Sequence, residues 1–186
     1  MVFCISVLAA GAAFDYGINR VYPSTKSPRI LLLSAVAYAV LLFTLHDLTL
    51  VVKGIIFAQL LILAGYIDAR TQEIPDMLNL LILLTAIIRI RPLNALIGLL
   101  AVSVPMLILG IVIKGGVGGG DIKLMAASGA VLGTLSVMEG TVISCAVLIL
   151  HCVFRKFRKK QITRMNAMAP YFSVGCVIAY ILENMR

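Results

Sequence analysis

The chain has 186 residues, of which 61% are hydrophobic and only 13% charged. A soluble domain carries about 45–50% apolar and about 25% charged residues, so this composition excludes an ordinary water-solvated core and points to a chain solvated by lipid. The net charge of +8 does not read as a nucleic-acid surface, because six of the sixteen basic residues crowd into the stretch 155–164 between two apolar segments, a distribution that orients membrane proteins.

Taken in chain order, apolar runs fall at 1–18, 30–45, 48–67, 77–88, 93–113, 122–137, 140–154 and 168–183. They predict an all-α, polytopic membrane bundle of about eight transmembrane helices, in a single membrane-embedded domain over 1–186. Several runs are short against the ~17–25 residues of an ordinary span, 77–88 and 122–137 being the least secure, so their ends must extend into polar residues or the bilayer must thin. No basic residues precede the first run, and a cleaved signal peptide is not expected. With the N-terminus outside, the cytoplasmic loops collect Arg20, Lys26, Arg29, Arg70, Lys114, Lys123 and the six basic residues of 155–164. The other face keeps only Lys53, Arg89, Arg91 and Arg186. Twelve against four predicts that 68–76 and the glycine-rich 114–121 share the cytoplasmic face. Gly98, Gly110, Gly129, Gly133 and Gly175 dot the apolar runs, and nearly all of them read as close-packing positions. Cys4, Cys145, Cys152 and Cys176 are scattered through apolar segments and read as buried free thiols rather than a metal site.

Charge at a membrane boundary is costly and therefore informative. Asp47, Glu139 and Glu183 fall near helix ends on the predicted outer side and read as solvated loop residues. Asp15 lies near the inner end of the first run, while Asp68, Glu73, Asp76 and Asp121 gather at the cytoplasmic boundary. Asp68 ends an apolar run, and Asp121 follows Gly118, Gly119 and Gly120 and opens the next. Two carboxylates on one face can share a proton, activate water and protonate a leaving group. A plain helix cap explains Asp121 equally well on these grounds, and a cap is the better account of Asp76. The glycine run lacks the Gly-Lys-Ser/Thr ending of a phosphate loop. It fits either an unwound transporter segment or a flexible link that admits an extended peptide. His46 and His151 are isolated, which leaves neither a His-Glu-x-x-His zinc motif nor a serine–histidine pair. Dipole reasoning places the shared proton on Asp68, at a helix C-terminal end, and the charge on Asp121, at an N-terminal end.

The stretch Asp68-Ala-Arg-Thr-Gln-Glu-Ile-Pro-Asp76, followed by Met77-Leu-Asn79, resembles the first catalytic motif of type IV prepilin peptidases. Gly118-Gly-Gly-Asp-Ile-Lys-Leu124, followed by Ala126-Ala-Ser-Gly-Ala130, resembles their Gly-x-Gly-Asp motif. Either alone is weaker, since presenilin-like proteases also carry Gly-x-Gly-Asp; together, about fifty residues apart and in this order, they are specific. Gly11-Ala-Ala-Phe-Asp-Tyr-Gly-Ile-Asn-Arg20 with Pro23 is similar to the family's first helix and turn, and Met168-Ala-Pro-Tyr-Phe172 to the start of its last.

The resemblance implies a membrane aspartic endopeptidase, without cofactor or metal, that cleaves the leader of a prepilin substrate at the cytoplasmic face of the inner membrane. It implies Asp68 and Asp121 as the catalytic pair and Gly118, Gly119 and Gly120 as a substrate-access loop. Large members carry a cysteine-bearing insertion after the first helix and also methylate the new N-terminus from S-adenosylmethionine. Here the loop 19–29 is short and has no cysteine, as in small members that serve Tad-type pili, and its brevity weighs against that second activity. The readings that compete are a transporter or channel with a broken helix at 114–121, and a related protease for preflagellin.

Overall fold

The computed structural model describes residues 28–45, 47–113, 117–157 and 167–186. The first apolar run with Asp15, the turn holding Arg20 and Pro23, Cys4, His46, Lys114 to Gly116 and the basic loop 158–166 lie outside the described residues. The described chain is all-α. Its helices are α1 (Pro28–Thr44), α2 (Leu48–Thr71), α3 (Asp76–Thr85), α4 (Pro92–Val112), α5 (Gly119–Leu132), α6 (Thr134–Phe157) and α7 (Ala169–Met185). Three of these, α2, α4 and α6, are long and apolar enough to cross a membrane.

Burial separates the three. In α2, 67% of the apolar stretch is buried, against 22% in α4 and 17% in α6. So α2 is the central strut, packed by α1, α3 and α7, while α4 and α6 turn Leu96, Leu107, Ile111, Val142, Ile149 and Leu150 outward. Apolar side chains so exposed are stable only in an apolar solvent, which is the physical reason for reading the bundle as lipid-embedded.

The seam between α2 and α7 fixes the site. Ser173 on α7 donates its hydroxyl to the Leu61 carbonyl of α2 at 2.6 Å, and Tyr180 donates to the Leu50 carbonyl at 2.7 Å. Phe57 and Tyr180 rest ring against ring at 5.9 Å. Gly65 faces Pro170 so closely that an added Cβ would lie 3.0 Å from the Pro170 Cα. The first turn of α7 is thereby held beside the last turns of α2.

A second seam joins α4 to α5. Gly98 and Gly129 cross there, and a Cβ on either would collide with the other's carbonyl oxygen. Gly175 is similarly tight against Gly140 and Ser144 where α6 meets α7. The packing expectation therefore holds for Gly98, Gly129 and Gly175. It does not hold for Gly110, where an added Cβ would find its nearest atoms at 3.7–3.8 Å.

One boundary differs from the sequence reading, which runs a single segment over 122–137. The helix instead stops at Leu132, because Gly133 adopts φ 81°, a left-handed conformation that favours glycine. Thr134 restarts the chain as α6, with its backbone N–H and hydroxyl both donating to Asn94 Oδ1 at 3.1 and 3.0 Å. Apolar residues flank the break on both sides, so hydropathy cannot register it. The cysteines also differ from one another: Cys176 is buried, Cys152 half-buried and Cys145 exposed, which corrects the uniform buried-thiol reading.

Candidate active site

Asp68 lies in the last full turn of α2, which runs on to Thr71. Gln72 then turns left-handed (φ 57°), and its N–H donates to the Asp68 carbonyl. The chain leaves through Ile74 and Pro75 into α3. Proline lacks the N–H a continuing helix needs and disfavours helical geometry in the residue before it, so it sets α3 off at a new angle. Asp68, one turn before this break, is buried to 6% exposure.

Asp121 arrives from α5. Gly118 is that helix's N-cap, and Gly119 and Gly120 already belong to its first turn, so the expected access loop is, over the described residues, the start of a helix. Asp121 is three residues past the cap and makes no capping bond, which removes the cap explanation for it. Asp76 likewise makes none. Pro75 holds the N-cap position of α3, and both Asp76 carboxylate oxygens accept from Lys123 Nζ, at 2.8 and 3.0 Å. The two motifs are thus latched together at their rim. Lys123 serves Asp76, not the neighbouring Asp121.

The two carboxylates line one cavity of about 450 Å³, together with Glu73, Ile74, Gly119 and Lys123. Gly119 has open space where a Cβ would stand, and at Gly120 a Cβ would press on Ile74 at 3.3 Å. Gly119 is therefore not needed for packing, and its bare backbone leaves the cavity wall free to be approached.

The polar environments of the pair are unequal. Asp68 Oδ2 accepts the backbone N–H of Ala169 at 3.0 Å. Ala169 is the first residue of α7, where helix N–H groups have no partner within the helix. The α2–α7 seam delivers that donor to the carboxylate. Asp121 Oδ1 is buried with no hydrogen-bond partner among the described residues. Burial first, and then the charge of Asp68, pushes the Asp121 carboxyl up to about 6. A carboxylate with an N–H donor is favoured as the anion, and a desolvated one beside a like charge is favoured as the acid. Burial acts on both carboxyls, but the backbone donor at Asp68 and the unpartnered oxygen at Asp121 weigh against the dipole expectation and favour Asp121 as the acid. A helix dipole is worth ~0.3–1 kcal/mol in exposed settings, whereas a hydrogen bond to a charged group contributes about 1.5–3 kcal/mol.

Sequence reasoning did not find the Ala169 donor. Met168-Ala-Pro-Tyr-Phe172 marks a helix start, but which carboxylate that start meets is a fact of packing. His151 is not isolated either, because its Nδ1 pairs with the Tyr171 hydroxyl, two residues beyond Ala169.

An all-α bundle with helices apolar and long enough to cross a membrane, and two buried carboxylates in one cavity at its end, defines the class of a membrane protein with an acidic site. The family model for the type IV leader peptidase family matches residues 55–153, just over half of the chain, and takes in both aspartates. The chain belongs to that family, and membership implies aspartic peptidase activity on prepilins. No curated protein and no solved structure matches the chain.

Proposed function

We propose that the chain is the endopeptidase that removes leaders from type IV or Tad-like prepilins at the cytoplasmic boundary of the membrane, with Asp68 and Asp121 as its catalytic pair. The observation that carries this reading is that Asp68 and Asp121, one from each motif and on two different helices, line one cavity. The ionised Asp68 takes a proton from a water, whose oxygen bonds to the scissile carbonyl carbon. Asp121, as the acid, gives its proton to the carbonyl oxygen, and a tetrahedral diol results. Asp68 then passes its new proton to the amide nitrogen, the C–N bond breaks, and a diol hydroxyl returns a proton to Asp121. Each group ends as it began.

The bare backbone of Gly118, Gly119 and Gly120 gives an extended peptide access to the pair. Glu73, exposed on the same cavity, makes no ion pair among the described residues and is available to a basic leader, whereas Asp76 is held by Lys123. The reading keeps eight crossings and the twelve-to-four charge asymmetry, which turns this end of the bundle to the cytoplasm.

Incubating the purified chain with prepilins and with preflagellins, and mapping each product's N-terminus by mass spectrometry, tests the substrate assignment. Cleavage of a prepilin at the leader boundary is expected; cleavage of preflagellins alone would replace the substrate class.

A further inference from the structure

The end of the bundle remote from the aspartates carries a second polar cavity, of about 210 Å³. It is walled by Lys53, Asp47, Arg89, Arg91, Asn94 and Glu183, among others. Lys53 lies fifteen residues before Asp68 on α2, about 22 Å along the axis at ~1.5 Å per residue. Its side chain does not reach out to water in the way lysines near helix ends do. It is buried to 7% exposure and spends one donor on the Val131 carbonyl, at a long 3.3 Å. An ammonium has three donors. The charges of Glu183, Arg91 and Arg89 all bear on it.

Arg89 is already paired with Asp47 at 2.8 Å. The cavity's remaining charges are then Lys53 and Arg91 against Glu183, a surplus of one positive charge. Beside it, sharing Ile90, Arg91 and Asn94, an apolar groove runs along the outside of α4 over Pro92, Leu93 and Ile97. A cationic pocket opening onto an apolar groove on a lipid-facing helix matches one ligand chemistry: a phosphate that carries a hydrocarbon chain.

We propose that this cavity binds the headgroup of an anionic phospholipid, its phosphate between Lys53 and Arg91 and an acyl chain along Pro92, Leu93 and Ile97. The headgroup would join α2, α4, α5 and α7, whose residues all line the pocket, and so would brace from the far side the helices that carry the two aspartates.

Native mass spectrometry of the full chain, released from mixed micelles holding equal amounts of dioleoyl phosphatidylglycerol and dioleoyl phosphatidylcholine, measures the preference. The wild type is expected to retain the anionic lipid about tenfold over the zwitterionic one, the worth of one charge-assisted hydrogen bond. Arg91 is exposed and removable without opening the core, so Arg91→Gln is expected to abolish the preference, as is Lys53→Gln if that variant folds. Arg186→Gln, on an arginine bonded to Glu139 instead, is expected to keep it. Equal retention of the two lipids by the wild type, or an unchanged preference in Arg91→Gln, would overturn the proposal. Displacement of the lipid by millimolar inorganic phosphate would overturn the part played by the groove and leave a simple anion pocket.

Discussion

At the residue scale, Asp68 and Asp121 carry the same functional group in opposite circumstances. Asp68 has a backbone donor, whereas Asp121 has a buried oxygen with no partner among the described residues and a neighbour of like charge. If Asp121 supplies the proton, kcat/KM must fall on the alkaline side as that proton is lost. A pH profile is expected to show an apparent pKa near 6 there, and a limb appearing only above about pH 8 would contradict the allocation. Because Asp68 helps raise Asp121, Asp68→Asn should lower the pH at which the Asp121 carboxyl band disappears from the infrared spectrum. The stability consequence has a definite sign. A carboxyl raised in the folded state stabilises the fold below its unfolded pKa and loses that contribution as pH rises through about 6. Asp121→Asn is therefore expected to raise Tm relative to wild type at pH 7 and to show no such gain near pH 4. That the two aspartates come to one cavity was legible in the sequence, because the motifs around them are specific. The difference between their surroundings was not, since it depends on Ala169, a residue one hundred and one positions from Asp68 whose donor is part of the backbone.

At the scale of elements, the helices followed from runs of apolar residues, and most ends fell within a few residues of the reading. Where the reading missed, the cause was conformational: Gly133 breaks the chain between Leu132 and Thr134 without any change in hydropathy. The glycines give a matched test of packing against propensity. Gly129→Ala puts a methyl into the Gly98 carbonyl and is expected to destabilise by about 1–3 kcal/mol, the usual cost of overpacking. Gly110→Ala meets only ordinary van der Waals contacts, at 3.7–3.8 Å, and should stabilise α4 by roughly 0.5–1 kcal/mol, the helix-propensity gain of alanine over glycine. Thermal unfolding of both variants in one detergent measures the contrast, and equal shifts would show that the α4–α5 crossing is not tight. The Lys123–Asp76 latch belongs to this scale as well. Both partners are more than half exposed, and such pairs contribute about 0–1 kcal/mol, so Lys123→Ala should hardly move Tm.

At the scale of the whole molecule, the described basic residues stand at both ends of the bundle. Arg70, Lys123, Arg155 and Lys156 stand with the aspartates, while Lys53, Arg89, Arg91 and Arg186 stand at the far end. These eight stand four against four, so the twelve-to-four count rests on basic residues beyond them. The burial of Lys53 was not legible, because a lysine six residues into α2 looks the same on paper whether it reaches water or a pocket. With the native cysteines removed, a cysteine at position 73 should react with an impermeant thiol reagent only from the cytoplasmic side, and one at position 186 only from outside. The reverse pattern would invert the topology and place the dyad on the wrong side for a leader. The most direct test is cleavage itself, by wild type, Asp68→Asn and Asp121→Asn, each purified as the full chain and shown to be folded by its thermal transition, against a prepilin that the wild type processes. Each substitution is expected to cost at least about 10²–10⁴-fold in kcat, the range for loss of a positioned acid or base. Turnover by either variant within a few-fold of wild type would contradict the assignment of Asp68 and Asp121 as the catalytic pair.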